Sequence, residues 1–345
     1  MLSAESRGGK FVARKDEAGS ACRCGVACPA SEGAMTQRST FNIRRSPHPL
    51  LPDVEIRKDE PLASHTTFRV GGPVSLLARP LTEDGLASLM RWIRQEGVDH
   101  FILGGGSNLL APDEPWDVTA VQLTRCCSAI APVGRGSGEK TRLYVGAGIR
   151  LSQLLRYCVG KGLGGMEPLV GIPGTVGGAL VMNAGTGDGC IADPLLWIDV
   201  LDSSGDRLRV ARTELPARYR CMGLHEGWIV LGAAFELPSV TSARLKATMS
   251  EKMRRRRSVQ PTGKPSAGCV FKNPPGISAG ILIDRSGMKG LRIGDAEISE
   301  KHANWIVNRG NARASDILAL IETMEKRVAE QFGVRLEREI RVLTP

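Results

Sequence analysis

Two glycine clusters constrain this chain more than any other feature. The first, Gly104, Gly105 and Gly106 followed by Ser107 and Asn108, comes directly after the apolar run "HFIL". Glycines at the end of a β-rich run remove side chains where backbone N–H groups can approach an anion, and Ser107 and Asn108 add side-chain donors. The second, "GIPGTVGGALVMNAG" at 171 to 185, holds Gly171, Gly174, Gly177, Gly178 and Gly185. Thr175 there predicts the start of a short helix whose N-terminus favours negative charge. A single "GGGS" is more often a tight turn, and a glycine-rich stretch alone is more often a packing turn. Two such loops in one domain can clasp a diphosphate from both sides, so together they predict a dinucleotide. Neither loop has the spacing of a P-loop or of the G-x-G-x-x-G fingerprint.

The length of 345 residues, 42% of them hydrophobic, allows two domains with cores of their own. A formal charge of +10 favours anionic partners: nucleic acid, an anionic surface or phosphorylated small molecules. The aromatic content of 4% is lean for a protein that stacks bases on rings, which argues against nucleic acid. No apolar run reaches the roughly 18 to 20 residues a membrane span needs, and the N-terminus lacks a signal-like apolar core. A cytoplasmic protein without membrane insertion is the expectation. Nine cysteines scattered along a long chain predict reduced thiols and no disulfides.

Residues 1–48 are small, polar and basic without periodicity and are expected to be a disordered basic extension. Cys22, Cys24 and Cys28 in it lack the fourth ligand and C-x2-C spacing of a zinc site, so no metal is expected. Nothing before Met35 looks structural, and Met35 could be the true start. From 49 to 238 short β-rich runs alternate with glycine turns and a few helices. Leu151, Leu154, Leu155 and Cys158 have helical spacing, and Ser203 to Asp206 turns a hairpin. Composition shifts after Pro238, so a second domain is placed at 239–345. It is expected to close with a helix that has Ser315 as N-cap and Gly333 as its stop, followed by a strand, "RLEREIRVL".

Eight stretches, in order, resemble the UDP-N-acetylenolpyruvoylglucosamine reductases: "TTFRVGG" (66–72), "GGGSNLL" (104–110), "GIPGTVGGALVMNAG" (171–185), "YR" (219–220), "QPTGKPSAGCVFKNP" (260–274), "AGILIDRSGMKG" (279–290), "HANWIVN" (302–308) and "LEREIRVL" (336–343). The short span between Tyr219 and Cys269 resembles the family's second type. The resemblance implies an α+β fold. A two-part FAD-binding region of the vanillyl-alcohol-oxidase or PCMH type would precede a smaller C-terminal α+β substrate-binding domain. It further implies non-covalent FAD, held by Gly104, Gly105, Gly106, Ser107, Asn108, Gly171, Gly174, Thr175, Gly177, Gly178 and Asn183. NADPH would reduce the flavin, and the enolpyruvyl ether of UDP-N-acetylglucosamine would then accept the hydride, in a step of peptidoglycan precursor synthesis carried out by a monomer.

Hydride arriving at the methylene carbon leaves negative charge on its neighbour and on the carboxylate, so such a site needs a fixed cation, an electrostatic partner and a proton donor. The family pattern places these at Arg220, Glu339 and Cys269. On the sequence alone an exposed arginine, an exposed carboxylate and a small buried thiol are the commoner fates. Cys269 stands where most members of the family carry a serine. A thiol, with a reference pKa near 8.5, is a much stronger acid than an alcohol. Asn273, Lys289, His302 and Arg341 match positions that face the substrate or its diphosphate. Arg254 to Arg257 could steer anions, although a charge run at a helix end is more often a solvated face. Met222 replaces the serine of the family's usual Tyr-Arg-x-Ser. The competing readings are a flavin oxidase of an alcohol or sugar with the same FAD fold, often tethered through His or Cys, and a basic nucleic-acid binder. No histidine lies in either glycine loop, and Cys190 is the nearby thiol.

Overall fold

The structure is a computed structural model that describes residues 51–345. The expected extension 1–48, with Cys22, Cys24, Cys28 and Met35, lies outside the described residues. The architecture is α+β, in three packed units that meet around one cleft.

The first unit comprises β1 (Val54–Pro61), β2 (Pro73–Pro80), α1 (Glu83–Glu96), β3 (His100–Leu103), β4 (Leu109–Leu110) and β5 (Trp116–Gln122). Its four-stranded sheet has the order β1-β2-β5-β3, with β1 antiparallel to β2 and the other pairs parallel. β2 is buried almost throughout, with Leu76 and Ala78 in one core and Val74 and Leu77 in another. α1 begins where Thr82 Oγ1 accepts from Gly85 N and ends at Gly97 in the left-handed region, φ 63°. Its Leu86, Leu89, Met90 and Ile93 form the buried stripe.

The second unit comprises β6 (Ile130–Arg135), β7 (Lys140–Gly146), α2 (Leu151–Lys161), α3 (Val176–Val181), β8 (Gly185–Thr186), β9 (Gly189–Cys190), β10 (Leu195–Leu201), β11 (Arg207–Ala211) and β12 (Ile229–Pro238). Five strands form an antiparallel sheet of order β11-β10-β12-β7-β6. β12, "IVLGAAFELP", is buried along nearly its whole length, as a central strand covered on both faces should be. α2 covers the periodicity read from Leu151 to Cys158. The β10–β11 turn is held by Asp202, whose Oδ1 accepts from Ser204 N and Asp206 N, both at 2.8 Å.

Helix α4 (Ser242–Val259) follows Pro238; Leu245 is its one buried residue, and Met249 and Met253 pack onto the core shared by the first two units. The C-terminal core takes its first residue of this stretch at Ala267. That core is built from α5 (Ala279–Arg285), β13 (Arg292–Ile293), β14 (Ala296–Ile298), β15 (Ile306–Asn308) and α6 (Ala314–Phe332), and it includes Phe68, Val70 and Leu110 of the first unit. β16 (Arg341–Val342) pairs in parallel with β4.

Two local expectations are corrected. Ser315 does not cap α6: it lies inside the first turn, and the carboxylate of Asp113 accepts from Ala314 N at 2.7 Å and Ser315 N at 3.0 Å. A distant acid satisfies the free N–H groups that a local hydroxyl was expected to take. Residues 335–343 do not form one strand. Only Arg341–Val342 does, because the preceding residues bond individually to the 270–272 segment, through Glu339 N to Val270 O at 2.7 Å and Lys272 N to Glu337 O at 2.8 Å. Cys126, Cys127, Cys158, Cys190 and Cys269 are free thiols. Gly333 does end α6, at φ 65°.

Candidate active site

The three units enclose a cleft of 390 Å³. One wall is made by the two glycine loops, which meet backbone to backbone: a Cβ on Gly105 would lie 2.7 Å from Gly174 Cα, and one on Gly104 would lie 2.9 Å from Thr175 Oγ1. A side chain on Gly105 forces the loops apart, and one on Gly104 displaces the Thr175 hydroxyl. The N–H groups of Gly105, Gly106 and Ser107 have no protein acceptor among the described residues. Helix α3 opens onto the same wall, with Thr175 Oγ1 accepting from Gly178 N. Converging donors, a helix N-terminus and no side chains in the way form a cradle that fits a diphosphate.

Of the residues expected to hold the dinucleotide, Gly104 to Asn108, Gly171, Gly174, Thr175, Gly177 and Gly178 line the cleft, whereas Asn183 does not. Asn183 sits just behind it in the left-handed region, φ 42°, and donates from Nδ2 to Arg218 O at 3.0 Å. The amide of Asn108 is used within the protein, donating to Glu339 O at 3.0 Å, while Asn108 O accepts from Arg341 N at 3.0 Å. The first glycine loop is thereby tied to the segment that carries the acid.

Arg220, Cys269 and Glu339 come from three separate regions of the chain and line the same cleft. Arg220 occupies the left-handed region, φ 56°, in a tight turn closed by two backbone hydrogen bonds between Arg218 and Cys221. The strain of a long side chain there is held by that turn and by Met222, whose buried side chain anchors the next residues in the core. The guanidinium donates from Nη1 to Gly185 O at 3.2 Å and lies 5.0 Å from the centre of the Tyr219 ring. Its Nε is 2.7 Å from Glu339 Oε1, a close ion pair whose N–H is misaligned for a hydrogen bond. Burial pushes the Glu339 carboxyl above its usual range, against the opposing pull of Arg220 and Lys272.

Cys269 follows Gly268, whose φ of 82° turns the chain so that the thiol faces the cleft. Burial pushes that thiol up to about 11, and the charge of Glu339 adds to the rise. The Trp305 indole N–H, Arg220 and Arg256 pull the other way. Near neutral pH the group is a protonated, enclosed acid with two cations close by.

Arg341 also lines the cleft, where burial lowers the pKa of its guanidinium. Asn273, Lys289 and His302 do not line it. Asn273 Oδ1 accepts from Ala279 N at the start of α5 and its backbone N–H reaches Tyr219 Oη at 3.5 Å, which puts it beside the arginine turn. Lys289 pairs with Asp284 at 2.6 Å, and burial together with the Lys289 charge lowers the pKa of His302. Sequence reasoning passed over Arg256 as one member of a charge run. Arg254, Arg255 and Arg257 are exposed, whereas Arg256 turns inward to line the cleft. Trp305 was missed altogether.

Residues 260–343 match the family described as UDP-N-acetylenolpyruvoylglucosamine reductase, C-terminal domain, and residues 74–211 match the FAD binding domain family. The UDP-N-acetylenolpyruvoylglucosamine reductase of Syntrophobacter fumaroxidans is 53% identical over 295 residues, 86% of either chain. That of Moorella thermoacetica is 43% identical, covering 84% of this chain and 93% of the relative. The solved structure of the Thermus caldophilus reductase superposes with a TM-score of 0.71 at 39% identity, over 84% of this chain and 99% of that one.

Proposed function

The chain belongs to the UDP-N-acetylenolpyruvoylglucosamine reductase family, and from that premise we propose how its residues divide the work. It is an FAD-containing oxidoreductase that reduces UDP-N-acetylenolpyruvoylglucosamine in peptidoglycan synthesis. The glycine cradle holds the diphosphate of FAD through the backbone of Gly104 to Ser107 and through the start of α3 at Thr175, Gly177 and Gly178. We assign non-covalent attachment, in keeping with two glycine loops that carry neither histidine nor cysteine. When bound, FAD supplies the hydride, which it takes in turn from NADPH.

The observation that carries the division of labour is that Arg220, Glu339 and Cys269 line one cleft, with Arg220 paired to Glu339. Arg220 grips the substrate carboxylate and, with its planar, permanently charged fork, holds the negative charge that develops there and on the adjacent carbon. Glu339, beside that fork, keeps the guanidinium oriented and polarises the enolate, as its acid form or through water. The Cys269 S–H bond breaks as its proton passes to the carbon next to the carboxylate, which completes reduction of the double bond. The resulting thiolate is stabilised by Arg220 and Arg256 until solvent reprotonates it. Arg341 receives the substrate inside the cleft, with Asn273, Lys289 and His302 assigned to its outer part.

No helix among the described residues is long and apolar enough to cross a membrane. We assign the activity to a cytoplasmic monomer. NADPH consumption followed by absorbance, with and without UDP-N-acetylglucosamine enolpyruvate, tests cofactor and substrate together: substrate-dependent oxidation with release of UDP-N-acetylmuramate is the expected result. Substrate-independent peroxide formation from sugars or alcohols would replace this reading with an oxidase.

A further inference from the structure

Trp305 carries a buried polar atom that the reaction as described does not use. Its Nε1 is shut off from solvent and makes no formed hydrogen bond among the described residues. A buried indole N–H without an acceptor is unfavourable, so its position asks for a reason. The backbone gives one. Trp305 and Cys269 face each other across an antiparallel bridge, Val270 N donates to Asn304 O at 2.9 Å, and both side chains line the cleft. That bridge sets the indole beside the Cys269 thiol, and the Trp305 N–H pulls the pKa of the thiol down.

We propose that Trp305 is a positioning residue for proton donation, its indole N–H aimed at the Cys269 sulfur to receive the negative charge left when the proton departs. A neutral thiol is a poor acceptor and a thiolate a good one. A donor misaligned in the resting state therefore costs the thiol little and tightens only as sulfur becomes charged, which is the difference that accelerates a step. The other charged groups facing this sulfur are Arg220 and Arg256, which favour the thiolate, and Glu339, which opposes it. Of these donors Trp305 alone acts without a charge of its own, so it stabilises the thiolate without competing for the substrate's carboxylate. This inference rests on Cys269 being the proton donor for its catalytic meaning, but the contact itself is measurable without turnover.

The test is Trp305→Phe, which keeps a ring and removes the N–H. Iodoacetamide labelling of Cys269, followed from pH 8 to 10.5 by mass spectrometry of the 269 peptide, reads the thiolate fraction. Loss of a donor to the thiolate raises the pKa, so labelling below the midpoint should slow about tenfold if the midpoint rises by one unit. Easier access past the smaller ring would instead raise the rate equally at every pH. Thiolate absorbance near 240 nm, taken as Trp305→Phe minus Trp305→Phe/Cys269→Ser, gives the midpoint independently of access. Flavin reduction by NADPH should be unchanged, which also shows that the variant folds and binds FAD, while reoxidation by substrate slows several-fold. An unshifted midpoint overturns the inference. Full turnover by Cys269→Ala would overturn the donor assignment instead and leave the Trp305 contact to stand or fall on the titration.

Discussion

Arg220 Nε and Glu339 Oε1 lie 2.7 Å apart, with side chains only 20% and 14% exposed. The pair is buried enough for loss of one partner to leave the other uncompensated, which typically costs about 3–5 kcal/mol. Arg220→Lys conserves the charge but not the fork. Flavin absorbance should be retained while turnover falls by roughly 10²-fold or more, since one ammonium cannot grip a carboxylate through two parallel bonds. Near-normal turnover would remove Arg220 from the catalytic set.

Glu339→Gln should act on the second half-reaction. In stopped-flow measurements, reduction by NADPH should keep its rate while reoxidation by the enolpyruvyl substrate slows. The same variant has a second signature. Glu339 raises the pKa of the Cys269 thiol, so a neutral amide should lower the midpoint from about 11 and speed labelling at pH 9. Slower labelling would contradict the electrostatics described here.

Cys269→Ala should preserve reduction by NADPH and lower substrate turnover by roughly 10² to 10⁴, with Cys269→Ser recovering part of the loss. Because the thiol stays protonated up to about 11, the proton-transfer step should hold across neutral pH and decline on the alkaline side as the acid form is lost. A parental rate in the alanine variant would make Cys269 a packing residue.

Gly105→Ala places a methyl group 2.7 Å from Gly174 Cα. The loops must separate, and the purified protein should lose most of its bound flavin, seen in the ratio of visible to ultraviolet absorbance. Undiminished flavin content would show that the cradle tolerates a wider gap than the backbone contact implies.

Asp113→Ala removes the acceptor for two N–H groups at the start of α6. A loss of about 1–2 kcal/mol is expected from the missing cap, read as an earlier urea midpoint for the C-terminal unit. A separate check is that flavin binding should be little affected, because Asp113 does not line the cleft.

The glycine loops were legible from sequence because their geometry is local: Gly104 to Ser107 and Thr175 shape the cleft wall through their own backbone. The α2 stripe and the Ser203–Asp206 turn were legible for the same reason. Asp113 was not, since the carboxylate that caps α6 comes from about two hundred residues earlier and leaves no spacing to read. Arg256 hid among exposed neighbours because a run of four arginines does not say which one faces inward. Trp305 was missed because nothing in its sequence position shows the antiparallel bridge that sets it against Cys269.

The short parallel pairing of Leu109–Leu110 with Arg341–Val342 has a consequence in time. Asn108 and the acid segment it holds are separated by 231 positions, and a ribosome makes them in that order. The glycine loop therefore waits, its partner strand unmade, while nearly the whole described chain emerges behind it. Contacts of such long sequence separation are slow to form and leave an unpaired edge exposed meanwhile. The wall of the cleft is therefore completed late, when Asn108 gains its partner at Glu339.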